Sequence, residues 1–71
     1  MNESNQKISI NGEPQTVPMG ITVEGLLDHL EVDRRHVAVE QNRKLVVKAD
    51  YSEVQVEAGD FVEIVTFVGG G

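Results

Sequence analysis

The chain has 71 residues, a formal net charge of -6 from twelve acidic and six basic side chains, and no cysteine. A chain this short encloses a single apolar core, and without cysteine it has no disulfide, no thiolate zinc site and no thiol nucleophile of its own. The acidic excess repels a phosphate backbone and so argues against nucleic acid as a partner. No apolar run approaches the roughly 20 residues that span a bilayer, and Met1 to Gln6 lack the basic and apolar regions of a secretion signal. A soluble, cytoplasmic protein with no membrane partner is expected.

Residues 1–6 are polar and without periodicity, which predicts a flexible N-terminal tail ahead of a domain spanning 7–68. Lys7 to Ile10 alternate, Asn11-Gly12 is the preferred pair for a two-residue type I′ turn, and Glu13 to Val17 return the chain as a hairpin. Pro14 has no N–H for a ladder, so the second strand belongs at a sheet edge. Thr22 is placed to cap a helix of about ten residues, whose stripe Val23, Leu26, Leu27 and Leu30 follows the i, i+3, i+4, i+7 spacing. Gly25 weakens that helix by about 1 kcal/mol relative to Ala, leaving it dependent on packing against a sheet.

His36 to Glu40 form a β-rich stretch, Gln41 to Lys44 a polar turn, and Leu45 to Val47 the return strand of a second hairpin. Ala49 to Ser52 read as a polar connection that holds the only tyrosine, Val54 to Val56 alternate, and Ala58-Gly59-Asp60 turn the chain into a last strand from Phe61 to Val68. Gly69, Gly70 and Gly71 then form a flexible glycine tail.

Five short strands and one helix make an α+β domain, a five-stranded sheet with one face covered by a single helix. The other face is left to solvent or to a partner. Along the last strand Val62, Ile64, Thr66 and Val68 share one side and Phe61, Glu63, Val65 and Phe67 the other. Glu63 belongs in water, which puts Phe61, Val65 and Phe67 on the open face and makes these four residues the candidate docking surface.

The terminal glycines carry the chemistry. A run of three makes a thin segment that enters a narrow cleft, and it ends in a carboxylate. A carboxylate acylates poorly until its oxygen becomes a good leaving group, which adenylation by ATP provides. The electrophile is then the Gly71 carbonyl, open on both faces for want of a Cβ. A phosphate cradle is a poor alternative, because such glycine loops need a following helix to aim N–H groups at the anion.

Ile8-Ser9-Ile10-Asn11-Gly12-Glu13, Thr22-Val23 with Leu26-Leu27, Val37-Ala38-Val39-Glu40 with Asn42, Gly59 to Val65 and the closing Val68-Gly69-Gly70-Gly71 together resemble the ThiS family of sulfur carrier proteins. The likeness runs from Lys7 to Gly71. It implies a ubiquitin-like β-grasp fold, a mixed sheet with the first and last strands parallel at its centre. It implies that an E1-like (ThiF-like) adenylating enzyme activates Gly71 with ATP. Sulfur from a cysteine desulfurase then replaces AMP, and a thiazole synthase (ThiG-like) uses the resulting thiocarboxylate to build the thiazole of thiamine. On this resemblance the chain is not an enzyme, binds no cofactor itself, and is a monomer when free. Arg43 stands where the family commonly has Gly, Tyr51 where another aromatic is common, and six residues precede the usual start. The small subunit of molybdopterin synthase (MoaD) shares fold and diglycine end, so another sulfur carrier is an alternative, as is a ubiquitin-like binding or conjugation module.

His29 and His36 lack ligand-spaced companions and read as surface groups, not metal ligands. Asp28 with Glu31, and Glu57 with Asp60, read as solvated carboxylates, with Asp60 bonding local backbone in its turn. No residue of the chain is expected to be catalytic.

Overall fold

The structure is a computed structural model and describes residues 4–67. Strand β1 (Asn5–Ile10) turns through Asn11 and Gly12 into β2 (Glu13–Pro18), with Ile10 opposite Glu13. Both turn residues have positive φ, 52° and 87°, the left-handed pair that a type I′ hairpin requires and that Asn-Gly accepts most readily. Helix α1 (Val23–His29) follows, then β3 (Val37–Gln41), β4 (Lys44–Val46) and β5 (Phe61–Thr66). The five strands form one sheet in the order β2-β1-β5-β3-β4, parallel only between β1 and β5. Pro14 lies on an edge strand, as its missing N–H demands.

Thr22 caps α1 through its hydroxyl, which accepts from Gly25 N–H at 3.0 Å. Val23, Leu26 and Leu27 face the sheet and are buried with Ile8, Ile10, Val17, Val37, Val39, Val46, Val56 and Val62. Enclosing a side chain such as Leu26 contributes about 2–3 kcal/mol, enough to offset the helix's poor propensity at Gly25. The single helix covers one face, and no helix among the described residues covers the other.

Several boundaries move for physical reasons. Asn5 and Gln6 belong to β1 and not to a tail. Gln6 is buried because its amide nitrogen donates to Val56 O at 3.0 Å and Pro18 O at 3.3 Å, two long-range partners that polarity alone could not announce. Helix α1 has seven residues, because Leu30 already caps it and Glu31 adopts φ 60°. His36 ends a 3-10 turn, Arg34–His36, instead of opening β3. In the second hairpin β4 begins one residue early, at Lys44, and ends at Val46. Val54–Val56 are not a strand but contribute an isolated bridge, Thr22 to Gln55. Tyr51 is no part of a merely polar connection: it is 2% exposed, a core residue seated after the 3-10 turn Lys48–Asp50. Val68 and the glycines Gly69, Gly70 and Gly71 lie outside the described residues.

Candidate functional site: the open face of the last strand

Strand β5 occupies the middle of the sheet, so its outward side chains are surrounded by neighbours on both sides. Phe61 stands opposite Ser9 of β1, Glu63 opposite Glu40 of β3, and Val65 opposite Ala38. Phe67 continues the row, its N–H donating to His36 O at 2.9 Å. Phe61, Val65 and Phe67 are 64%, 58% and 45% exposed, values far outside what a core requires, and Glu63 is exposed between them. The four residues expected at the docking surface therefore share the uncovered face. The row leads toward the glycine tail, the other part of the expected site, whose residues are outside the described range.

The face is wider than the sequence reading made it. Leu45 is 64% exposed and stands opposite Glu40, and Val47, one parity step further on, is exposed too. Ala38, Leu45, Val47 and Phe67 line a cleft of about 320 Å³ together with Val37, Val46, Lys48 and Tyr51. Leu45 and Val47 had a signal in the sequence: in a three-residue apolar edge strand, only alternate residues can face the core, so the two flanking Val46 had to face out.

The open face carries charges of both signs, with Lys7 on the same side of β1 as Ser9. Arg34 pairs with Glu24 at 2.8 Å and Arg35 with Asp33 at 2.9 Å, both beside the 3-10 turn, and among the described residues neither Glu40 nor Glu63 belongs to an ion pair. Hydrogen bonds from the Arg35 guanidinium, then from its backbone N–H, hold the Asp33 carboxyl far below the usual carboxylate range. His29 and His36 are exposed, as expected of surface groups.

The start of β5 is fixed by polar contacts. Asp60 accepts from Glu57 N–H at 2.8 Å, Gln41 Nε2 at 2.8 Å and Asn42 Nδ2 at 3.1 Å. Burial raises the Asp60 pKa, but these donors outweigh it and leave the group below its ordinary value. Asn42 Oδ1 in turn accepts from Phe61 N–H at 2.9 Å, and Asn42 N–H donates to Phe61 O at 2.7 Å. Asp60 is thus structural, as its turn position suggests, while the role of Asn42 as a clamp is visible only in three dimensions.

A mixed sheet of this order, roofed by one helix on one face, defines a ubiquitin-like β-grasp protein. Comparison with known proteins narrows the class. The model of the ThiS family matches residues 6–71. A thiamine biosynthesis protein (ThiS) from Geobacter metallireducens, solved by crystallography, superposes with a TM-score of 0.81 at 33% identity, over 93% of this chain and 100% of that one. The sulfur carrier protein ThiS of Bacillus subtilis is 40% identical over 50 residues, 70% of this chain and 76% of that protein. The chain belongs to the ThiS family. A thiazole synthase from Paramagnetospirillum magneticum is 51% identical over 65 residues, which are 92% of this chain, and the chain spans 20% of that protein's length.

Proposed function

We propose that this chain carries sulfur on the Gly71 carboxyl group. Attack of the carboxylate on the α-phosphorus of ATP, within an E1-like adenylating enzyme, releases pyrophosphate and leaves an acyl adenylate. The terminal sulfur of a persulfide on a cysteine desulfurase then displaces AMP to give an acyl disulfide, and a thiol cleaves it, leaving as a disulfide with the desulfurase cysteine and freeing a thiocarboxylate whose sulfur a thiazole synthase takes up. Gly69 and Gly70 carry the reactive end into each enzyme's cleft, since neither has a side chain to obstruct it. The protein holds no nucleotide itself; ATP belongs to the adenylating enzyme. The reducing cytoplasm suits a thiocarboxylate and is where we place these reactions.

The observation that carries this reading is the exposed row Phe61, Val65 and Phe67 on the strand that leads to the glycines. Apolar side chains concentrated there give a partner something to bury close to the reacting group. Thiazole synthases from two organisms that contain a stretch similar to this chain support that enzyme as one partner. Mass spectrometry tests the chemistry: with ATP, the adenylating enzyme, the desulfurase, free cysteine and a thiol reductant, the chain gains about 16 Da as sulfur replaces oxygen. One residue added after Gly71 abolishes the gain, and persistence of sulfur delivery in that extended chain overturns the reading. Phe67→Asp tests the face, weakening binding to the enzymes while the fold is retained; unchanged affinity removes the face from the site.

A further inference from the structure

Strand β5 has a main-chain edge that nothing among the described residues covers. Its ladder with β3 bonds the odd residues: Asn42 N–H donates to Phe61 O and Phe67 N–H to His36 O, the two ends of one antiparallel register. The even residues therefore turn their N–H and C=O groups toward β1. Val62 O accepts there from Asn11 N–H at 2.9 Å. At Ile64 β1 has already entered its turn, and the Asn11 side chain takes over, its Oδ1 accepting from Ile64 N–H at 2.8 Å and its Nδ2 donating to Ile64 O at 3.2 Å. One step further, among the described residues nothing pairs with the N–H or C=O of Thr66, which is exposed.

The outer edges of the sheet are treated differently. In the β1·β2 pair Met19 N–H bonds Ser4 O, so the same register points Pro14, Thr16 and Pro18 outward. Two of those three positions have no N–H to offer. The opposite edge, β4, is only three residues long. Prolines and short strands are how proteins keep edges from pairing with other chains. The Thr66 edge has neither protection.

We infer that the Thr66 edge of β5 is a strand-pairing site for an extended segment of the enzyme that receives the C-terminus, bonded through the main chain. The inference rests on the proposed function, because chain length identifies the occupant. Five peptide steps separate Thr66 from Gly71 and reach at most about 18 Å, so whatever encloses the Gly71 carboxyl lies within that distance of the edge. A strand added there extends the β1 side of β5 beyond the point where Asn11 closes it, and holds the tail in one direction by backbone bonds that no side chain specifies.

The test replaces the Thr66 amide by an ester through semisynthesis, which deletes the N–H and weakens the Val65 C=O as an acceptor, and compares it with Thr66→Val and Thr66→Pro. Binding to the purified thiazole synthase and adenylating enzyme is measured by calorimetry. The ester and Thr66→Pro chains are expected to bind about tenfold more weakly, because a partner carbonyl is left without its donor, while Thr66→Val binds like the wild type. Thr66→Val is expected to melt with the wild type and the ester chain slightly lower, because its weakened Val65 C=O faces β3, so affinities are compared at a temperature where all four chains are folded. Wild-type affinity in the ester chain, with thiocarboxylate formation intact, overturns this inference and leaves the proposed function standing. A concentration-dependent dimer that the ester abolishes assigns the edge to a second copy and also overturns it. A wild-type chain that bound neither enzyme would overturn both readings.

Discussion

The side-chain amide of Asn11 pairs with the backbone of Ile64 as a peptide group would, accepting from its N–H at 2.8 Å and donating to its C=O at 3.2 Å. Asn11 does this from φ 52°, a conformation most side chains avoid and Asn tolerates. One residue thus closes the first hairpin and finishes the parallel ladder. Asn11→Gly keeps the turn and loses the pairing, and is expected to cost about 1 kcal/mol; Asn11→Ala adds the left-handed penalty, for about 2–3 kcal/mol in all. Urea denaturation of the two variants separates the contributions. Equal losses would show that the pairing, and not the turn, sets the preference for Asn.

Arg43 occupies φ 72° in the second hairpin, next to Asn42 at φ 54°. That pair needs the same left-handed geometry as Asn11-Gly12, but a Cβ is present at its second position. Arg43→Gly is expected to raise stability by up to about 1 kcal/mol, as removal of the steric penalty outweighs glycine's greater freedom when unfolded. A higher denaturation midpoint with unchanged slope is the expected result. A lower midpoint would mean that the Arg43 side chain contributes to the surface more than its backbone costs.

The fold was legible where the pattern is local: Asn11-Gly12, Pro14, the Thr22 cap and the Leu26-Leu27 stripe each act over a few residues, and each has its expected role in the structure. The open face was legible because Glu63 marks the water side of β5, and parity then puts Phe61, Val65 and Phe67 beside it. Gln6, Tyr51 and Asn42 were not legible. A polar residue such as Gln6 enters a core only when distant carbonyls meet it, here Val56 O fifty residues away. Tyr51 sits between polar residues in sequence, and only the packing of α1 and the sheet shows that its ring fills the interior. Asn42 acts across 19 residues on Phe61 and 18 on Asp60, separations that no periodicity encodes.

Asp60 gives the protein an acid-sensitive fastening. Its pKa is lowered in the folded state despite burial, by donors that exist only there, so the unfolded chain takes up its proton first as pH falls. The stabilisation is complete above the ordinary Asp value of about 3.9 and is lost as pH drops below it through the folded value. Asp60→Asn is expected to cost on the order of 1–2 kcal/mol at pH 7, and the gap to wild type is expected to stay level from about pH 7 to 5 and narrow below about 4. Asp33, whose pKa is also depressed, is present in both chains, so the difference between the curves isolates Asp60. A gap of constant size down to the acid limit would remove the Asp60 carboxylate as its cause.

Glu40 and Glu63 face each other across β3 and β5, two carboxylates in register with no ion-pair partner among the described residues. Like charges directly opposite on one sheet face oppose folding by about 0.2–1 kcal/mol, most strongly at low ionic strength. Glu40→Gln is therefore expected to stabilise the free protein by an amount in that range, fading as salt is added. The same pair lies between the apolar groups Phe61, Val65 and Leu45, where a docking enzyme would bring basic residues. Removal of one charge is then expected to slow association with that enzyme and flatten its salt dependence, with little effect on dissociation. Stopped-flow association rates at two ionic strengths, measured beside denaturation curves, read both effects on one variant. A stabilised Glu40→Gln chain that associates as fast as wild type at low salt would leave the carboxylates without a part in steering, and their repulsion would be a cost to the fold alone.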